Sequence, residues 1–145
     1  MKDKLIEICI VQQEQTARTA QTLMNEAQAM ANEYGPNKDR YDSFRSKQMR
    51  MADIYSKQLD NAQNIVRTLM QIDPQRICHC VEFGAVVVTN KQKLFISVSL
   101  GKIMVENDLY YAISVNVPIY AVMQGKKVGD EFTFNGIRQR IMEII

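Results

Sequence analysis

Tryptophan is absent from the 145-residue sequence, histidine occurs once and proline three times. No run of apolar residues approaches the roughly 18 needed to cross a bilayer. The N-terminal apolar patch is broken by Glu7 and runs on into glutamines, so the uninterrupted core of a signal peptide is not expected. Cysteine is scarce too. Cys9, Cys78 and Cys80 are an odd number at irregular spacing, which argues against a disulfide framework and for a reducing, cytoplasmic compartment. Charge of one sign is also lacking. Lys and Arg total 18 against 16 for Asp and Glu, a net charge of +2. Residues 1–73 hold 10 basic and 10 acidic side chains, and residues 74–145 hold 8 and 6. Neither half is a basic arm, so direct binding to nucleic acid is not expected. Neither G-x-x-x-x-G-K-[ST] nor G-x-G-x-x-G occurs, which leaves nucleotide chemistry without a motif. An acyl-condensing or thiolase-like enzyme would need roughly twice this length for its core.

What is present changes character at Pro74. From Lys2 to Ile72 the only Gly and Pro are the adjacent Gly35 and Pro36, and Gln, Ala, Met, Lys and Arg, all helix formers, dominate. Ile6, Ile10, Gln13, Ala17, Ala20, Met24, Ala27, Ala31 and Tyr34 recur in alternating steps of four and three, the a/d seam of a coiled coil. Tyr41, Phe44, Gln48, Met51, Tyr55, Gln58, Ala62, Ile65, Leu69 and Ile72 repeat it. Gly35-Pro36-Asn37 breaks the pattern, since Gly tolerates left-handed dihedrals, Pro restricts its predecessor and Asn suits a turn. The spacing therefore predicts an antiparallel helical hairpin over 1–73 with its tip near 34–40. At 1.5 Å per residue each arm is about 45 to 50 Å long, more than a compact core needs, so the tip is expected to project.

Residues 74–145 read as a second, β-rich domain. Cys78–Phe83, Ala85–Thr89, Leu94–Ser99 and Tyr110–Val115 are β-branched or aromatic runs punctuated by Gly84, Asn90-Lys91, Gly101 and Asn107-Asp108. Pro118–Met123 suits a short helix closed by Gly125. Glu131–Phe134, turning at Asn135-Gly136 into Ile137–Ile144, carries the strongest short-range hairpin signal. The expected class is α+β, a long helical hairpin followed by a small antiparallel sheet with a short helix.

Two features tempt a chemical reading. In Cys78-His79-Cys80 a strand would turn both thiols to one side and the imidazole to the other, and no second Cys or His pair completes a zinc tetrahedron. A cysteine nucleophile meets the same obstacle, because the sole histidine points away from both thiols. Gly125-Lys126-Lys127-Val128-Gly129-Asp130 looks like a phosphate loop but leads into a strand instead of a helix. It reads as a tight turn with solvated lysines. Lys126, Lys127 and Asp130 are candidates for docking a partner, with Ile119 and Met123 as an apolar contribution.

The order of parts resembles the Gre family of bacterial transcript cleavage factors. Val81-x-Phe83-Gly84-Ala85-x-Val87 is similar to that family's opening strand. Ile113-Ser114-x-x-x-Pro118-Ile119 and then Gly125-Lys126-x-Val128-Gly129-Asp130 follow its pattern I-S-x-x-S-P-I-x-x-A-L-x-G-K-x-x-G-D, with Val117 where Ser is usual. Tyr41-x-x-x-Arg45 and Asn61-Ala62-Gln63 are similar to positions on the family's second helix. The resemblance covers essentially the whole chain. It implies an FKBP-like fold for the second domain and a monomeric, cytoplasmic protein whose partner is bacterial RNA polymerase, with nucleic acid reached only through it. It also implies docking at the rim of the secondary channel and insertion of the coil tip. There tip carboxylates help hold a second magnesium ion used to hydrolyse backtracked RNA, so the chain is not an enzyme by itself and binds no cofactor stably.

At the tip this sequence departs from the family, which has Asp directly after Gly and Glu three further on. Aligned on Tyr41 and Arg45, those positions fall at Tyr34 and Asn37; aligned on Gly35, they fall at Pro36 and Asp39. The tip carboxylates available are Glu33, Asp39 and Asp42, of which Asp39 is the one to share the polymerase-bound magnesium. Three alternatives stay open: a non-cleaving polymerase competitor; an FKBP-like interaction or chaperone module with an aromatic pocket of Phe83, Phe95, Tyr110, Tyr111 and Tyr120; and a helical scaffold that self-associates.

Overall fold

The computed structural model describes residues 1–33 and 42–145. The expected turn Gly35-Pro36-Asn37 and the seam residues Tyr34 and Tyr41 lie outside the described residues. The architecture is α+β. Helices α1 (Lys2–Glu33) and α2 (Asp42–Met70) are followed by β1 (Val86–Thr89), β2 (Lys93–Ile96), β3 (Gly101–Val105), β4 (Asp108–Ile113), α3 (Pro118–Met123), β5 (Glu131–Phe134) and β6 (Ile137–Ile144). Among the described residues no helix is long and apolar enough to cross a membrane.

The chain packs as two compact units, one of Met1–Ile10 with Arg67–Ile145 and one of Val11–Val66. The second is purely helical. Helix α1 continues into it after Ile10 and α2 continues out of it at Arg67. The stretches are free of Gly and Pro, and their 32 and 29 residues span about 48 and 44 Å at 1.5 Å per residue. Along α1 the seam is as spaced in the sequence: Gln13, Ala20, Ala27 and Ala31 are buried, and Ala17 and Met24 half-buried. Along α2 the seam differs at two steps. Met51 is half-buried while its neighbour Ala52 is buried, and Gln58 is exposed, so the line runs from Gln48 through Ala52, Tyr55 and Leu59 to Ala62. Leu59 is the apolar neighbour of a glutamine, and its side chain takes the inward place.

Helix α2 stops where the sequence demands. Gln71 and Ile72 donate to the carbonyls of Thr68 and Leu69 at 3.2 Å, tightening the last turn. Pro74 disfavours helical dihedrals in Asp73, whose carboxylate accepts the Gln75 N–H at 2.9 Å.

In the first unit six strands form one mixed sheet in the order β3-β4-β2-β1-β6-β5. Four of the five pairings are antiparallel, and β2 and β4 run parallel. From β2 the chain passes to the edge, lays down β3 and returns between them as β4, which fixes that direction. The expected strand at Cys78–Phe83 is not one: Val81 exchanges two hydrogen bonds with the segment after α3, Val81 N to Lys126 O at 2.8 Å and Gly125 N to Val81 O at 2.9 Å, with no further ladder. Strand β3 was not marked by the sequence pattern, because Gly101 reads as a break. The β5–β6 hairpin turns at Asn135 and Gly136, both at positive φ, as Asn-Gly suggests.

Alternation sorts the buried side chains between the two faces of the sheet. Val87, Leu94, Ile96 and Ile141 pack with Val81, Ala85, Phe132 and the α3 residues Tyr120 and Met123. Val86, Phe95, Ile103, Val105, Tyr110 and Ala112 are buried on the opposite face. Leu5, Ile6, Cys9 and Leu69, from the helix ends in this unit, are buried as well. Lys4 ties the start of α1 to the β3–β4 turn through Glu106, Nζ to Oε1 at 2.8 Å.

Candidate functional site

The stretch from Pro118 to Asp130 is a built surface element. Val117 is extended (φ −83°, ψ 151°) and Pro118 opens α3, where its missing N–H costs nothing. Tyr120 and Met123, three apart, turn inward. The helix closes with Gln124 N donating to Tyr120 O at 2.8 Å, and Gly125 follows at φ +76°. Gly129 sits at φ +92°, also in the left-handed region that favours glycine. Between the glycines the Asp130 carboxylate accepts the Lys127 N–H at 2.8 Å, and Asp130 N donates to Lys127 O at 2.9 Å. Ile141 then holds the turn to the sheet, its carbonyl accepting from Gly129 and its N–H donating to Asp130 O.

Of the candidate docking residues on this element, Lys127 and Asp130 are exposed and Ile119 and Lys126 half-buried. Asp130 spends its carboxylate on the turn. Met123, expected to contribute an apolar contact, is instead completely buried and belongs to the core. The apolar surface beside the lysines comes from Val122, 39% exposed, and Val128, 56% exposed. Helical spacing could have found Val122, which lies between the inward positions 120 and 123.

Glu33 is the last residue of α1 and is exposed. Asp39 lies outside the described residues. Asp42 opens α2, and its side chain lies outside them too.

The five aromatic residues do not line one pocket. Phe95 pairs with Ala112, so Phe95 and Tyr110 occupy one face of the sheet, whereas Tyr111 and Tyr120 pack with Leu94 and Ile96 on the other. Phe83 lines a separate cavity of about 90 Å³ with Lys2, Gln71, Ile72, Asp73, Arg76, Cys78 and Gly84. In the Cys-His-Cys stretch, Cys78 is buried, His79 exposed and Cys80 half-buried. Burial pushes the Cys78 thiol above its ordinary pKa, and Lys2 beside it pulls the other way. Burial also raises Tyr120, with the neighbouring Cys80 and Glu82 adding to the shift. Among the described residues no group of three His, Cys, Asp or Glu side chains could hold a metal ion.

No family model matches the chain, and no curated protein matches it. Among solved structures, the GreA factor homolog 1 (Gfh1) protein of Thermus thermophilus matches with a TM-score of 0.36 and 12% sequence identity, over 97% of this chain and 94% of that one. So loose a superposition assigns no role to any residue of this chain.

Proposed function

We propose that the chain is a Gre-like regulator of transcription elongation, which docks on bacterial RNA polymerase through its β-rich part and inserts the hairpin end into the secondary channel. The observation that carries this reading is the pattern from Ile113 to Asp130. Its scattered residues do separate structural work: Pro118 opens α3, Gly125 and Gly129 take positive φ, and Asp130 closes the turn. Residues that jointly build one surface element are a stronger basis for the resemblance than a chance string of the same letters. Two uninterrupted helices of 32 and 29 residues suit a probe.

On this reading the protein contributes carboxylates to a site that belongs to its partner. Asp39, with Asp42 or Glu33, helps hold a magnesium ion in the polymerase, where one or two protein carboxylates suffice alongside water and phosphate. A second reading, a non-cleaving competitor for the channel, is favoured by the positions that should carry the acid pair: Tyr34 and Asn37, or Pro36 and Asp39.

Backtracked elongation complexes incubated with and without the protein test both. Shortened transcripts, lost with the triple variant Glu33→Ala, Asp39→Ala, Asp42→Ala, are the expected result for cleavage. Binding without shortening selects the competitor. Cleavage by the triple variant at the wild-type rate would remove any role for these carboxylates.

A further inference from the structure

One buried pair of nucleophiles has no part in that reading. Lys2 keeps only 3% of its surface exposed, and its Nζ donates to the Arg76 carbonyl at 2.9 Å and lies 3.7 Å from the Cys78 sulfur. Cys78 is likewise 3% exposed. Among the described residues no carboxylate lies within ion-pair distance of this amine, an arrangement that is costly for a buried cation. Both side chains line the cavity of about 90 Å³, room for a molecule the size of a peroxide. The other charged residues on its wall are engaged elsewhere, Arg76 with Glu82 at 3.0 Å and Asp73 with the Gln75 N–H.

We propose that Lys2 and Cys78 form a reversible sulfur–nitrogen cross-link when hydrogen peroxide enters this cavity. In the first step the Cys78 thiolate attacks one peroxide oxygen; the O–O bond breaks, hydroxide leaves and takes up a proton as water, and sulfur becomes a sulfenic acid. In the second, the free amine of Lys2 attacks that sulfur; the S–O bond breaks, and the departing hydroxide takes the amine's proton as a second water. Sulfur is oxidised by two electrons and peroxide reduced by two. Sulfenic acids condense in this manner with backbone nitrogen, and here the amine is already next to the sulfur. The bond would close both long helices within one covalent loop. The thiolate is the attacking form, so the cross-link forms faster as pH rises. Burial raises the pKa of this thiol and Glu82 adds to the rise, while Lys2 and Arg76 lower it.

The full-length chain, freed of reductant and treated with hydrogen peroxide, is read by intact mass and by mapping of peptic peptides. The expected product is lighter by two hydrogen atoms and yields a linked peptide containing Lys2 and Cys78. It persists in Cys80→Ser, is absent in Lys2→Arg and Cys78→Ser, and is reversed by dithiothreitol. Oxygen added to Cys78 without a link, a Cys78–Cys80 disulfide in place of the link, or an unmodified Cys78 would each overturn the proposal. The wild-type peptide map decides among these even if a variant fails to fold.

Discussion

The two units are buried in different materials. In the helical unit every described residue that is buried is alanine or glutamine: Gln13, Ala20, Ala27, Ala31, Gln48, Ala52 and Ala62. In the other unit the corresponding residues include Leu5, Leu69, Leu94, Phe95, Ile96, Met123 and Ile141. Burying one such large side chain contributes about 1.5–3 kcal/mol, and alanine contributes far less. The larger apolar residues Tyr55, Leu59 and Ile65 of this unit are only half-buried. The difference teaches that most of the stability resides in the β-rich unit, and that the helical unit is ordered by helix continuity more than by a core of large side chains.

Substitutions can break that contrast. Phe95→Ala, at 0% exposure in the middle of the sheet, should cost about 3–5 kcal/mol in urea unfolding; a loss near 1 kcal/mol would mean that the large side chains are not where stability lies. Ala20→Leu, 2% exposed on the seam, should cost about 1–3 kcal/mol through overpacking, read by helical circular dichroism on heating. A neutral or stabilising result would show a seam with room to spare. A smaller effect comes with pH. Burial pushes the Cys9 thiol up to about 11 from its ordinary value of 9.0. The unfolded chain therefore gives up this proton first, and stability falls as pH rises from 9 through about 11. Cys9→Ala should flatten that part of the urea-midpoint profile, and an unchanged slope would assign it to other groups. Smallest of all, Lys4→Ala removes an exposed ion pair with Glu106 and should leave the melting curve unchanged.

How much of this was legible depended on what the residues had to do. The α1 seam from Gln13 to Ala31 could be read because its spacing is regular. On α2, Met51 competes with Ala52 and Gln58 with Leu59, and burial favours Ala52 and Leu59. Pro118–Met123 and the Asn135-Gly136 hairpin were legible because their turn residues have few alternatives. The parallel β2–β4 pairing was not, since direction depends on where the chain travels between strands and leaves no local mark. Cys78–Phe83 has the composition of a strand but meets only one partner segment, at Val81. Within the candidate site the charged turn was legible and the apolar residue beside it was not. Met123 looked available until the inward phase of a six-residue helix was fixed by Tyr120.

Equilibrium binding of the full chain to purified bacterial core RNA polymerase, with a secondary-channel ligand as competitor, tests the functional proposal most directly. A saturable complex that the competitor displaces is expected. Absence of a complex, or a complex that the competitor leaves intact, would contradict docking at that channel.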